Sequence, residues 1–184
     1  MTDTGNIYEY ELIDIVFEQM YETPEDESSY YVCEDDAIRA TDTPKESLIA
    51  YDDEGVPMGR TRCEIKLREK TIKDFYAQWI SENPEKKVWN VHLKSNILVK
   101  YLSINETYAK ASRTYESTKA VFRLTEILSN AKLVKEELTK PNNKNQKSFS
   151  KILIMRYDNI KLVVGYQKSM QENVQYSITA PQQQ

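Results

Sequence analysis

Between residues 62 and 81 the chain returns to an apolar residue every three or four positions. Ile65, Ile72, Phe75, Tyr76, Trp79 and Ile80 share one stripe, with charged residues opposite. That period predicts an amphipathic helix. Asn83-Pro84 ends it, because the residue before a proline resists helical geometry. Residues 7–20 carry a weaker version of the same signal in Tyr8, Leu12, Ile15, Val16 and Met20, with strand-like alternation over Tyr8, Tyr10 and Leu12 as its competitor.

Ser103 followed by Glu106 forms a capping-box pattern and opens a short helix over 104–112. A longer helix is expected over 114–129, with Tyr115, Val121, Phe122, Leu124, Ile127 and Leu128 available for the core and Asn130 as its stop.

Elsewhere the period drops towards two. Segments 87–93 and 97–103 read as strands around the turn Lys94-Ser95-Asn96. Strands are also expected at about 131–137, 149–157, 160–168 and 174–180, with Asp158-Asn159 as a tight turn. The last strand should set Gln175, Ser177 and Thr179 on one face and Val174, Tyr176 and Ile178 on the other. Tyr30–Cys33 and Leu48–Tyr51 are candidate edge strands in an otherwise irregular stretch, 21–56. The expected fold class is therefore α+β, with N-terminal helices followed by an antiparallel four-stranded β-meander packed on the helices.

Charge divides the chain more sharply than hydropathy does. Residues 1–60 hold 17 acidic against 3 basic side chains, a net −14, whereas residues 61–184 carry a net +10. The predicted organisation is an acidic N-terminal extension or small subdomain over 1–60, a helix-plus-sheet domain over 61–180 and a tail over 181–184. Such polarity suggests two functional surfaces, or an acidic segment that covers a basic one.

Several classes of function can be set aside. Four glycines and no G-x-G-x-x-G or P-loop pattern leave no nucleotide-binding loop. Cys33 and Cys63 lack metal or redox spacing and read as free thiols. His92 is the single histidine, so neither a metal centre nor a cofactor is expected. No secretory leader and no run of eighteen apolar residues is visible, which predicts a cytoplasmic protein with no membrane partner.

A basic surface without a metal remains, and RNA is the partner expected for the basic two thirds. Metal-independent RNA cleavage needs a base for the 2′-hydroxyl, an acid for the leaving 5′-oxygen, and cations for the phosphate charge. His92 is the candidate general base or acid, placed with Lys94 on one side of a strand. Lys110 and Arg113 are candidate phosphate clamps, and Thr114 and Thr179 candidate hydrogen-bonding helpers. Arg156 and Ser177 add to the polar set. The rival reading is a non-enzymatic interaction protein. Its acidic segment would bind a basic protein or mimic nucleic-acid charge, as an anti-defence inhibitor would.

The stretch from "RTRCEIKLREKTIKDFYAQWISENPEKKV" through "YLSINETYAKAS" to "KLVVGYQKSMQENVQYSITA" resembles modules of phage and mobile-element polyvalent proteins. Those modules are assigned to the barnase–EndoU–colicin–RelE-like nuclease group. The resemblance covers roughly residues 60–180. It implies a metal-independent ribonuclease fold and either binding or cleavage of RNA. Lys110, Ser112, Thr114 and Thr179 lie in the stretch that carries it.

Overall fold

A long helix, α1 (Arg62–Glu82), opens the body of the protein in the computed structural model, which describes residues 49–139 and 146–181. Its N-terminus is a reciprocal cap. The Thr61 hydroxyl accepts from the Glu64 N–H, and the Glu64 carboxylate accepts from the Thr61 N–H. The helix buries Glu64, Arg68, Ile72, Tyr76 and Trp79, so the predicted stripe continues one charged residue per turn towards the N-terminus.

Four shorter elements follow: β1 (Lys87–Asn90), β2 (Ser95–Leu98), α2 (Tyr101–Ala111) and α3 (Tyr115–Val121). The chain then forms α4 (Leu124–Asn130), β3 (Lys132–Leu138), β4 (Lys151–Tyr157), β5 (Ile160–Gln167) and β6 (Glu172–Thr179). All described residues belong to one compact unit, Ile49–Gln184. The expected helix over 7–20 and strand at Tyr30–Cys33 lie outside the described residues, as do positions 182–184 of the tail.

The fold is α+β, but the sheet differs from the expected meander. It has six strands in the order β1-β2-β6-β5-β4-β3 and is mixed. Strands β3 to β6 form the antiparallel part. The β1–β2 hairpin adds to the outer edge of β6 in parallel, through Ile97↔Asn173 and Leu98↔Val174. Local patterning reveals the hairpin but not the edge it joins, since that pairing is set by contacts more than seventy residues apart.

Two helices also depart from expectation. α2 starts at Tyr101, where the Lys100 N–H donates to the Ser103 hydroxyl, so Ser103 closes the first turn and does not precede it. The predicted helix 114–129 is two helices with a break at Phe122-Arg123. The break lets Ala120 and Val121 on one piece, and Leu124, Ile127 and Leu128 on the other, all reach the core.

Register assigns each sheet residue to a face. Leu153, Val164 and Gln175 form one cross-strand row, and Met155, Leu162 and Ile178 another; both are buried on the helix side. There the Gln175 amide nitrogen donates to the Thr107 hydroxyl of α2 at 2.7 Å and to the Tyr76 hydroxyl of α1 at 2.9 Å. Burial pushes the Tyr76 phenol up to about 12, although its bonds to Thr107 and Gln175 act the other way. A β-bulge between the Val163↔Ser177 and Val164↔Gln175 pairs explains why Gln175 does not share a face with Ser177 and Thr179. The expected two-faced division of β6 is thus corrected: six consecutive residues, Asn173 to Ile178, are buried.

Candidate nucleic-acid interface

The face of the sheet turned away from α1 is built from three in-register rows. At one end Ile152, Gly165 and Val174 are covered by Phe149 and Leu102. Gly165 is needed there, because a Cβ would stand 2.5 Å from the Phe149 ring. In the middle row Lys135, Ile154, Val163 and Ser177 lie side by side. At the far end Lys132, Arg156, Lys161 and Thr179 form a single row across four strands.

That last row is the main electrostatic feature of the face. Lys132, Arg156 and Lys161 are exposed. Among the described residues none of the three has an ion-pair partner, whereas nine other cation–carboxylate contacts are made, Lys135 with Glu137 at 2.9 Å among them. Adjacent strands are about 4.8 Å apart, so three like charges fall within roughly 10 Å. Their repulsion is relieved by solvent or by an anion. A bulge between Leu133 and Lys135 makes the row possible, since it restores the phase that sets Lys132 and Lys135 on the same side.

A cleft of about 250 Å³ adjoins the row. Ile152, Ile154 and Val163 line it, with Tyr176, Lys110 and Thr179 among its walls. Lys110 lies in the last turn of α2, pairs with Glu106 at 2.6 Å and sits 4.2 Å from the centroid of the Tyr176 ring. α2 can reach this face because it packs along β6 beyond the two residues paired with β2.

The structure brings Lys110, Ser177 and Thr179 together at this cleft and leaves His92, Arg113, Thr114 and Arg156 outside its lining. His92 is exposed in the turn after β1, not on a strand. Its backbone N–H and that of Leu93 both donate to the side-chain Oδ1 of the buried Asn90. Arg113 is exposed and donates from Nε to the Ala109 carbonyl. Thr114 caps α3, and its hydroxyl donates to the Ser117 hydroxyl. Lys132 and Lys161 were not singled out from sequence; their alternation with Leu133 and Leu162 was visible, but not their alignment. Cys63 is disulfide-bonded, which corrects the free-thiol expectation at that position.

On the other side of the body, residues 49–60 are fastened by two charged groups. The Asp52 carboxylate accepts from the Val56 and Glu54 N–H groups and from the Tyr115 hydroxyl, and contacts Lys119 at 3.1 Å. Burial opposes its ionisation, but these four donors outweigh burial and hold the carboxyl far below its ordinary range. Arg68, fully buried, donates to the carbonyls of Pro57, Gly59 and Ser112, each at 2.7 Å. Asp52 and Glu54, among the last residues of the acidic stretch, therefore pair with Lys119 of the body. Among the described residues no helix is long and apolar enough to cross a membrane.

An α+β body with helices on one face of a mixed sheet and a cationic row on the other defines the class. The family model for large polyvalent protein-associated domain 3 matches residues 68–167, more than half of the chain, and the chain belongs to that family of phage and mobile-element polyvalent protein domains. The match takes in Lys110, Lys132, Arg156 and Lys161 and stops before β6. No curated protein and no solved structure matches the chain.

Proposed function

We propose that this domain binds RNA through the open face of its sheet, as a nuclease-like module of a phage or mobile-element polyvalent protein. The observation that supports the reading is the row Lys132, Arg156 and Lys161, unpaired among the described residues and aligned beside a cleft that holds Lys110 and Thr179. Lysine and arginine on one surface attract the phosphate backbone irrespective of sequence, and release of counterions makes the attraction salt-dependent. Arg156 adds a planar fork suited to bidentate phosphate contact.

Binding is favoured over cleavage because His92, the candidate general base or acid, is not at the cleft. Cleavage there would have to run through the carboxylate and ammonium groups that do line it, Glu137, Lys110 and Lys161. The test is RNA binding by the purified full chain in EDTA, followed by electrophoresis of the labelled RNA. Binding that weakens with salt, and is much weaker at low salt in Lys132→Gln/Arg156→Gln/Lys161→Gln, is the expected result. Wild-type protein that binds no RNA at low salt overturns it. Cleavage products that disappear in His92→Ala would restore the catalytic role of that residue.

A second reading, a basic protein partner for the acidic residues 1–60, rests on their net −14. Capture of such a partner by the full chain, together with no affinity for RNA, would favour it.

A further inference from the structure

We infer that the cleft beside the cationic row receives one unstacked nucleobase, so that the domain selects single-stranded RNA over duplex. The inference rests on the RNA-binding reading above and adds the form of the nucleic acid.

Size is the first argument. At about 250 Å³ the cleft lies below the range of roughly 300–1,000 Å³ that holds drug-sized ligands. A single planar heterocycle suits that space; the groove surface of a helix does not enter it. Chemistry is the second. The floor of Ile152, Ile154 and Val163 offers apolar contact to a ring, and Ser177 and Thr179 offer hydroxyls at its edge. Tyr176 forms one wall. Phe149 packs edge-on against it, with centroids 6.0 Å apart, and the Lys110 ammonium stands over its ring.

Spacing is the third. Ile154 and Val163 precede Arg156 and follow Lys161 by two residues along their strands, one same-face step of about 6.8 Å. A base resting on Ile154 and Val163 would therefore have its own phosphate, or the next one, over Arg156 and Lys161. In duplex RNA the bases are stacked inside and the readable groove is shallow, so phosphates could meet the cations while the cleft stayed empty.

The test uses the full chain and a short RNA carrying 2-aminopurine at its centre, either single-stranded or annealed to its complement. The single strand should bind on the order of tenfold or more tightly than the duplex, the difference one docked base supplies. Its 2-aminopurine emission should change on binding, and the duplex signal should not. Val163→Phe, which fills the cleft, should abolish the preference and the emission change while keeping salt-dependent duplex binding. Thr179→Phe, placed at the rim on a partly exposed strand position, gives the same readout without altering the floor. Equal affinity for both forms with unchanged emission would overturn the inference and leave RNA binding standing. A preference retained in Thr179→Phe and in folded Val163→Phe would also overturn it. Absence of binding to either RNA would overturn the reading on which it rests.

Discussion

Replacing Arg68 by methionine tests the role of one buried cation in holding three segments together. Its guanidinium has no exposure, and its donors reach carbonyls on the segment before α1, at Pro57 and Gly59, and just past α2, at Ser112. Burial lowers the guanidinium's proton affinity, while Glu64 and Glu116 counter that effect through their charge. Methionine matches the stem in length but supplies no donor, so three carbonyls lose their partner. An unsatisfied buried polar group costs roughly 1–3 kcal/mol. Part of that is recovered, because Arg68 Nη2, which has no hydrogen-bond partner among the described residues, is removed with the guanidinium. A net loss of about 3–5 kcal/mol follows, in line with breaking a buried charged network. For a chain of this size it should lower Tm by on the order of 10–15 °C. Urea unfolding followed by tryptophan emission would measure it, with an unchanged m-value as the control. Hydrogen exchange supplies a local readout, since the Val56 and Gly59 amides should lose protection before those of β5. Arg68→Lys should not rescue, because one ammonium cannot replace a fork that spans three carbonyls. A loss below about 1 kcal/mol, or rescue by lysine, would refute the argument.

Four further outcomes are expected. Gln175→Leu should destabilise the fold by about 2–4 kcal/mol in urea, because the Tyr76 and Thr107 hydroxyls lose their shared buried partner; a neutral effect would show that their bond to each other is enough to satisfy both. Gly165→Ala should cost roughly 1–3 kcal/mol, since the added methyl meets the Phe149 ring, and near-ultraviolet dichroism should weaken with it. Asp52 carries a carboxyl depressed below its ordinary 3.8, so its stabilisation is complete above that pH and is lost as pH falls below it. Asp52→Asn should therefore be less stable than wild type at pH 7, with the gap in Tm closing towards pH 2; a gap that stays constant with pH contradicts this. Removing Lys132, Arg156 and Lys161 together should reduce the salt slope of RNA binding by about 2, at about 0.7 per phosphate contact on a single strand. An unchanged slope would place the phosphate contacts elsewhere.

The chain's local patterns anticipated much of this structure. The helix over 62–81 was legible because its stripe and its Asn83-Pro84 stop agree; its Thr61-to-Glu64 cap emerged only with the structure. Strands β4 and β5 were legible because their apolar runs flank a two-residue turn. Arg68 could have been read as buried from its place four residues before Ile72, on the same side of the helix. Its charge concealed it, as a buried arginine is recognisable only when its partners are known.

Sequence by itself determined the α+β class, the charge asymmetry and the extent of most elements, because caps, turns and periodicity act over a few residues. Tertiary structure alone decided that the sheet has six strands, that β2 lies parallel to β6, and that bulges send Gln175 to the core while Ser177 and Thr179 face the cleft. It also decided that Lys132, Arg156 and Lys161 share one row and that His92 stands apart in a turn. The reason is that register joins residues far apart in the chain, and a single inserted residue reverses which face each neighbour takes.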